Sequence, residues 1–346
     1  MIQSLKLRNF RNFSDAHFFP LEEKNFIIWE NGQGKTNILE ALSVIFDHSI
    51  TWLSSENLVK KGEQNLYIEV EDSEIWTLSF AYDHETKKKQ YRINWKNIIR
   101  KKFLDHTYKC VVFSPLQMNL MYLAPGLRRD FLDTILGNSY PEYGELMKQY
   151  KKILKSRNKT LKNIAEWKSK VSELDFWTDQ FIELSENIYH YRFTLCNYFK
   201  KHIHTSLEYF HGKIETIEFH YNCKVQESSV WEDIRNYLDK NLQRDIILWT
   251  TAIGPHVDDF DILVDDRKLI DFASRGETKS VIIWLKLLET VYLEKRTWKK
   301  PLLLIDDLLS ELDIWHKNML IEKIKYYQTF ISSIEHLEQN GMVIKL

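Results

Sequence analysis

The residues with the clearest chemical potential form a glycine-containing loop that ends in Lys35 and Thr36. The apolar run Phe26-Ile27-Ile28 before the loop predicts a short buried strand. Apolar residues at helical spacing over 37–45 predict a helix after it. Strand, glycine loop, Lys-Thr and helix, in that order, are typical of a phosphate-binding loop, in which backbone N–H groups and the helix start face a polyphosphate.

The loop supplies a set of candidate ATP-binding residues. Lys35 is expected to reach the β- and γ-phosphates, and the Thr36 hydroxyl is expected to ligate Mg²⁺. The motif calls for glycine where this chain has tryptophan, so a chance Gly-Lys-Thr before a helix is the alternative that the loop alone leaves open. The candidate residues are Trp29, Glu30, Asn31, Gly32, Gln33, Gly34, Lys35, Thr36 and Asn37.

Later segments argue against chance. The segment from Pro301 to Asp307 is an apolar run that ends in Asp306 and Asp307. It predicts a buried strand that carries a carboxylate at its tip. There Asp306 would face magnesium together with Thr36. Ser310-Glu311-Leu312-Asp313 follows, and Thr329 to Ser333 predicts a last strand that ends in hydroxyl groups.

A helix-start motif, Ser274-Arg275-Gly276-Glu277, comes before an apolar helix over 281–288. A serine there offers its hydroxyl and free backbone N–H groups to an anion, although alone it is an ordinary helix cap. This motif lies about 30 residues before Asp306, whereas the glycine loop lies roughly 270 residues before it. The spacing favours a split ATPase head with a helical insertion, as in ABC-type ATPases of the SMC group, over a compact GTPase.

Composition limits the class of protein. The chain has 346 residues, of which 28% are charged, and a formal net charge of −1, so a nucleic-acid site must be a local basic patch. Cys110, Cys196 and Cys223 are too few and too far apart for a disulfide framework or a zinc site. Without a signal-peptide core or a membrane-spanning run, we expect a cytoplasmic protein with no membrane partner.

The chain divides by pattern into three parts. Period-two alternation predicts strands near residues 2–7, 17–19, 67–71, 76–82 and, more weakly, 91–95, with further buried strands at 25–28, 110–113 and 260–264. Residues 146–167 and 171–211 have helical spacing without glycine breaks, which predicts a helical hairpin or a short coiled-coil arm. We therefore predict ATPase-head segments at 1–117 and 249–346 around a helical lobe at 118–248.

Several charged groups leave two interpretations open. Arg8 and Arg11 form either a polar turn or a contact beside the nucleotide, and we favour the contact. The basic residues of the first long helix form either a solvated face, which we favour, or a surface for the DNA backbone; they are Lys148, Lys151, Lys152, Lys155, Arg157, Lys159 and Lys162. Asp258, Asp259 and Asp261 suit a solvated strand edge better than a metal site.

A series of short motifs, in fixed order, carries a family resemblance. The motifs are Asn9-Phe10-Arg11-Asn12, Glu30 to Asn37, Val111 to Pro115, Arg128-Arg129-x-Phe131-Leu132-Asp133, Gly254-Pro255-His256-x-Asp258-Asp259, Ala273-Ser274-x-Gly276, and Asp306-Asp307 with Ser310 to Asp313. With them the chain resembles the bacterial RecF proteins of the SMC/ABC-type ATPase group over nearly its full length. The resemblance implies an α/β fold, with an ABC/SMC-type P-loop ATPase head built from both chain ends and a helical insertion lobe.

The resemblance also implies roles and partners. Two heads would sandwich two ATP molecules, with Lys35 and Asp307 as catalytic residues, and with ATP and Mg²⁺ as cofactors. Ser274, Arg275, Gly276 and Glu277 would form the signature that acts in trans, and Ser310, Glu311, Leu312 and Asp313 the D-loop. The implied function is recombinational repair of postreplicative gaps in the nucleoid: binding DNA at single-strand/double-strand junctions, helping to load RecA with RecO and RecR, and dimerising with ATP as a slow switch.

This sequence departs from the family pattern at three places. Trp29 replaces the first loop glycine, Glu277-Thr278 replaces two glutamines, and Leu116-Gln117 replaces an acidic pair. Because of these departures, the sequence supports ATP binding more strongly than it supports ATP hydrolysis. The alternatives are a nucleotide-independent DNA-binding scaffold with a degenerate loop, or an SMC-like structural ATPase, for which the helical segment is short.

Overall fold

The computed structural model describes residues 1–20, 24–28, 34–46, 55–73, 77–210, 214–333 and 342–345. By contact the chain forms two compact units, Met1–Met118 with Glu289–Leu346, and Asn119–Leu288. The first unit joins both chain ends, and its first boundary lies one residue from the predicted one. Residues 249–288, which the sequence analysis assigned to the head, group with the second unit by contact.

The elements follow one another along the chain as follows. The first unit begins with β1 (Ile2–Phe10), β2 (Phe13–Phe18), β3 (Lys24–Ile28), α1 (Lys35–Ile45), β4 (Asn65–Asp72), β5 (Thr77–Asp83), β6 (Lys89–Ile93), β7 (Lys96–Ile98), α2 (Arg100–Asp105) and β8 (Cys110–Phe113). The second unit has α3 (Pro125–Ser139), α4 (Tyr143–Ala165), α5 (Leu174–His202), β9 (Ile217–Asn222), α6 (Val230–Leu248), β10 (Asp259–Val264), β11 (Arg267–Lys268), α7 (Leu269–Phe272) and most of α8 (Arg275–Thr297). The chain then returns to the first unit through β12 (Leu302–Asp306), α9 (Ile314–Lys323), β13 (Thr329–Ser333) and β14 (Met342–Lys345).

The first unit is layered around α1. One layer is an antiparallel sheet in the order β2-β1-β4-β5-β6-β7, and the other is a parallel sheet in the order β14-β3-β13-β12-β8. The helix is buried along most of its length, and Ile38, Leu39 and Leu42 lie fully buried in a core that includes residues of both sheets. Such a helix is stable only between two apolar surfaces, which is why the sheets enclose it.

The second unit is mainly helical and carries a small sheet. Helices α4 and α5 form the predicted hairpin, and α6 packs against both. The antiparallel sheet β11-β10-β9 contacts α5 through β9 and α3 through β10. These contacts place β10 and residues near it with the helical lobe, which pattern alone did not indicate.

Local differences from the sequence expectation have local causes. Asn94 and Trp95 form the turn of a β6–β7 hairpin, with φ of 46° and 68°, rather than the end of a strand. Two left-handed residues suit the twist of a two-residue hairpin. The second long helix ends at His202 and continues as a 3₁₀ segment, and β14 follows the strand predicted to be last.

Candidate nucleotide-binding site

The strand order of the parallel sheet brings the predicted groups together. Strand β13 lies between β3, which leads into the glycine loop, and β12, which ends at Asp306. All three run in the same direction, with Asp306 opposite Ser332 and Ser333 opposite Ile28. The carboxyl ends of these strands therefore form one edge, where ligands of α/β proteins bind.

The end of the glycine loop is held by a close contact. Gly34 adopts φ of 106° and is the N-cap of α1, and a Cβ atom at this position would lie 2.6 Å from the side-chain nitrogen of Asn12. Asn12 Oδ1 in turn accepts a hydrogen bond from Asn37 Nδ2 at 2.7 Å. Only glycine fits this conformation and this space. The predicted residues Trp29, Glu30, Asn31, Gly32 and Gln33 lie outside the described part of the chain.

Lys35 and Thr36 begin α1 at the carboxyl edge of the sheet. The Lys35 side chain is only 8% exposed, and the first turn of the helix has no acidic residue. Thr36 Oγ1 donates to Asp306 Oδ1 at 3.0 Å, and Ser332 Oγ donates to the same oxygen at 2.8 Å. Burial raises the pKa of the Asp306 carboxyl, while the two hydroxyl groups oppose that shift.

Asp307 has an uncommon backbone conformation. Its φ is 47°, in the left-handed region that few residues other than glycine, asparagine and aspartate adopt. Its N–H donates to Ser332 Oγ at 2.9 Å, and Ser310 Oγ donates to its carbonyl oxygen at 2.7 Å. Ser332, which the sequence analysis assigned no role, thus contacts both acids of the motif. Its position in the run Ile331-Ser332-Ser333 at a strand end was the signal for it.

The remaining predicted D-loop residues have structural contacts. Leu312 is buried, and Asp313 caps α9 by accepting from His316 N at 2.9 Å. The hydrogen bonds from His316 lower the pKa of the Asp313 carboxyl. Glu311 lies in a short 3₁₀ turn after Leu308. The turn between Asp307 and α9 is therefore held by hydrogen bonds at both of its ends.

The helix start at Ser274 differs from its expectation. The sequence predicts a hydroxyl and backbone N–H groups that are free to bind an anion. Instead, Glu277 Oε2 accepts from both Ser274 N and Ser274 Oγ at 2.8 Å, and Glu277 N donates to Ser274 Oγ at 3.3 Å. This is a capping box, so the Glu277 carboxylate already supplies the anion. Arg275 and Gly276 form the first turn of α8 between these two residues.

The two arginines near the loop make defined ion pairs. Arg11 Nε and Nη2 donate to the two carboxylate oxygens of Glu40 on α1, at 2.8 and 3.0 Å, and Arg8 Nε lies 3.6 Å from Asp15 Oδ2. The bidentate pair fixes α1 against the turn after β1. These contacts favour the polar-turn interpretation for both arginines.

One residue of the basic helix is not on its surface. Arg157 is fully buried, with Nη1 donating to Thr251 Oγ1 at 2.6 Å and lying 3.6 Å from Asp245 Oδ2. The exposed lysines of this helix are Lys148, Lys151, Lys152, Lys155, Lys159 and Lys162. The assignment of Arg157 to a charged outer face was therefore wrong, because its partner is 88 residues away in sequence and invisible to helical spacing.

The aspartates near residue 260 each have another partner. Asp258 accepts from Tyr221 at 2.7 Å, Asp259 pairs with Arg128 at 2.6 Å, and Asp261 pairs with Lys268 at 2.9 Å. Within the described ranges, no group of three His, Cys, Asp or Glu residues could hold a metal ion. Among the described helices, none has the length and apolar character to cross a membrane.

The fold and the site together define a class of protein. A parallel sheet carries an acid on one strand tip, and beside it a helix begins with Gly-Lys-Thr; the unit that contains them is made from both ends of the chain. These are the features of a P-loop ATPase head of the ABC/SMC type. The fold class predicted from the sequence is confirmed.

Comparisons with known proteins agree on the family. The sequence profile described as AAA ATPase domain matches residues 1–341. The chain is 34% identical over 342 residues to the DNA replication and repair protein RecF of Ruminiclostridium cellulolyticum, which covers 96% of this chain and 92% of that relative. It is 31% identical over 365 residues to the protein of the same name from a Thermoanaerobacter strain, over 99% of both chains.

Solved structures give the same result. The structure described as the recombination mediator protein RecF-ATPrS matches with a TM-score of 0.89 at 27% identity, covering 100% of this chain and 96% of that one. The structure described as RecF-ATP matches with a TM-score of 0.87 at 28% identity, covering 99% and 95%. The chain belongs to the RecF family.

Proposed function

We propose that the protein is an ATP-dependent DNA-binding protein of recombinational gap repair, which recognises single-strand/double-strand junctions and helps RecO and RecR to load RecA. The observation that carries the proposal is the convergence of Thr36 and Ser332 on Asp306, beside the buried Lys35 at the start of α1. The names of the relatives, DNA replication and repair protein and recombination mediator protein, support the DNA and pathway parts of the proposal.

The residues present fit ATP with magnesium. The N-terminus of α1 has a glycine cap and no acid in its first turn, so its N–H groups suit a phosphate. Lys35 would neutralise the outer phosphates, and the oxygens of Thr36 and Asp306 are of the type that Mg²⁺ prefers. When bound, ATP would supply a γ-phosphate that water can cleave, and Asp307 would hold that water.

We propose that ATP acts as a switch between monomer and homodimer. Ser274 and Gly276 of one chain would approach the nucleotide held by another, so each bound ATP would stabilise the dimer by mass action. Asp307 is one methylene shorter than the glutamate of most SMC-group relatives, so we expect slow turnover. A dimer would present two copies of every basic surface to one DNA molecule, which raises affinity through multivalency.

The experiment compares DNA binding by the wild type and Lys35→Ala. Gapped, duplex and single-stranded DNA are titrated at two salt concentrations, with ATP and Mg²⁺ and without them. We expect the wild type to prefer gapped DNA and to bind more tightly with ATP, because the dimer binds with two surfaces. Lys35→Ala should lose the ATP effect and keep the ATP-independent affinity.

Calorimetry with ATP on the same two proteins is the control for the site assignment. Equal ATP affinities for wild type and variant would refute the role of Lys35. Equal affinities of the wild type for gapped and duplex DNA would refute the junction preference.

The second candidate function is a nucleotide-independent DNA-binding scaffold. The Glu277 carboxylate favours it, since it occupies the helix start that would otherwise meet a γ-phosphate. In this case the wild type would bind gapped DNA with the same affinity whether ATP is present or absent. The titration described above separates the two candidates directly.

A further inference from the structure

A basic and aromatic surface lies at the edge of the parallel sheet opposite the nucleotide site. Trp298, Lys299 and Lys300 precede the first residue of β12, and Lys325 and Tyr326 precede β13. These five residues form what we call the basic–aromatic surface. The parallel strands run from this edge toward Asp306 and Ser332, so the two sites are separated by the length of a strand, about 16 Å.

The aromatic rings of this surface are open to solvent. Trp298 is 90% exposed and Tyr326 is 65% exposed. The Nζ atoms of Lys300 and Lys325 lie 5.8 and 5.0 Å from the centroid of the Tyr326 ring. The Tyr326 ring therefore lies open to solvent beside two cations.

Trp298 terminates a helix. It follows α8 with φ of 57°, and its N–H donates to Glu294 O at 2.9 Å. Helices that end in this left-handed conformation usually have glycine or asparagine there. Trp167 after α4 and Trp249 after α6 adopt the same conformation, so the backbone does not distinguish Trp298, and its basic neighbours do.

The surroundings are strongly basic in a chain whose net charge is −1. Two nearby acids are already engaged, because Glu294 accepts from Tyr327 at 2.6 Å and Glu322 pairs with Lys325. Lys299 and Lys300 are exposed, and neither has a carboxylate partner in the described part of the chain. The cations of this region are Lys295, Arg296, Lys299, Lys300, Lys323 and Lys325.

We propose that the basic–aromatic surface binds single-stranded DNA, with bases stacked on Trp298 and Tyr326 and phosphates beside Lys299 and Lys300. Exposed rings alternating with lysines are the design of single-strand binding surfaces. Bases within a duplex are already stacked on one another, so these rings would have no base to contact there. The inference rests on DNA as the partner in the proposed function, and it would give the single-stranded side of a gap its own contact.

The chain offers a matched control at Trp167. This residue follows α4 with φ of 59° and is 96% exposed, so it resembles Trp298 in exposure and in backbone. Its neighbours differ, since Lys162 and Lys168 both pair with Glu166. A loss of affinity caused merely by removing an exposed tryptophan would appear at both positions.

The test measures fluorescence anisotropy of labelled oligothymidylate, and of a duplex of equal length, with the full chain. We expect Trp298→Ala to weaken oligothymidylate binding by about fivefold or more, the loss known for stacked aromatics in single-strand binders. Trp298→Phe should retain affinity, and Trp167→Ala should match the wild type. Lys299→Glu with Lys300→Glu should weaken binding further and reduce its salt dependence. ATP binding should stay unchanged in all of them.

The outcomes separate this inference from the proposed function. Equal oligothymidylate affinity for the wild type, Trp298→Ala and Trp167→Ala would overturn the inference, and an acidic protein segment would then be the better occupant of the surface. Absence of any oligothymidylate binding by the wild type would overturn it as well. If the wild type prefers gapped DNA with ATP while Trp298→Ala behaves identically, the proposed function stands and only this surface is wrongly assigned.

Discussion

At the scale of single residues, Asp307 is the proposed catalytic group whose backbone contacts the structure defines most closely. Its left-handed backbone is held by Ser332 on one side and Ser310 on the other. Asparagine tolerates the same conformation, so Asp307→Asn removes the negative charge without adding backbone strain. We expect this variant to bind ATP normally and to hydrolyse it at least about a hundredfold more slowly, the usual effect of removing a general base.

The measurement is the steady-state release of phosphate, with calorimetric ATP affinity beside it. Ser310→Ala is the control, because it removes a contact to Asp307 and leaves the carboxylate in place. A hydrolysis rate unchanged in Asp307→Asn would show that another group activates the water.

Glu277 is the second residue on which a prediction depends. Its carboxylate binds the N–H and hydroxyl of Ser274, where the proposed dimer would place a γ-phosphate. Glu277→Gln keeps a side chain that can close the capping box and removes the charge. Repulsion between two charges about 4 Å apart is worth about 1 kcal/mol even in water. We therefore expect the ATP concentration at half-maximal dimerisation to fall about fivefold.

Sedimentation over an ATP series measures that midpoint. Thermal unfolding of the same variant controls for the lost helix–charge interaction, which we expect to cost less than about 1 kcal/mol. A midpoint that rises or stays the same would mean that Glu277 does not compete with the nucleotide.

At the scale of elements, helices α1 and α8 differ in how their N-termini are capped. Helix α1 begins with glycine and has no acid in its first turn, whereas α8 begins with a capping box closed by Glu277. The N-terminus of α1 is therefore suited to bind a phosphate directly. The N-terminus of α8 must first release the Glu277 carboxylate. This contrast favours α1 over α8 as the primary anion site that we propose.

The lobe contains a partly buried histidine that links α4 to the segment after α6. His256 Nε2 lies 2.9 Å from Thr251 O, which can only accept, so Nε2 carries the proton and Nδ1 accepts from the Tyr150 hydroxyl at 2.6 Å. Burial, together with the charges of Arg129, Arg192 and Arg157, lowers the pKa of His256 to about 4. These two hydrogen bonds stabilise the neutral imidazole of His256.

This shift predicts a pH dependence of stability. Between pH 4 and 6.5 the unfolded chain binds a proton at His256 that the folded chain does not, so the stability contributed by His256 is lost as the pH falls. The free-energy cost of His256→Gln should therefore shrink by up to about 3 kcal/mol between pH 6.5 and pH 4. Urea unfolding of both proteins across this range measures it, and a cost that is independent of pH would contradict the shift.

At the scale of the whole molecule, the proposed switch predicts how oligomeric state follows the nucleotide. In an Asp307→Asn background, which prevents turnover, ATP should convert monomer to dimer and ADP should not. Adding Ser274→Arg places bulk at the proposed interface, so that protein should stay monomeric while it binds ATP as before. Sedimentation with each nucleotide gives the result.

Ser229→Arg is the matched control for Ser274→Arg. Ser229 is the N-cap of α6 in the same unit and contacts Asp233, so both substitutions disturb the start of a helix, but only one lies in the signature motif. Dimerisation lost equally in both variants would point to damage within the lobe. A wild-type-like dimer in Ser274→Arg would refute the placement of the signature at the interface.

The sequence by itself determined the parts that depend on neighbours along the chain. The start of α1 at Lys35 and Thr36, the apolar strand that ends at Asp306, and the alternating strands β1 and β4 all follow from local pattern. The spacing between motifs also indicated a head built from both chain ends. Even the capping box had a local signal, since serine followed three residues later by glutamate predicts it.

Only the tertiary structure decided which distant residues meet. Ser332 reaches Asp306 because β13 lies beside β12, Asn12 closes on Gly34 because β1 and β2 turn beside α1, and Arg157 is buried because α6 brings Asp245 to it. Strand order and helix packing come from burying apolar surface over the whole chain, a condition that no local window of sequence contains. The role of a polar residue such as Ser332 or Arg157 depends on this packing, so it cannot be predicted from the residues beside it in the sequence.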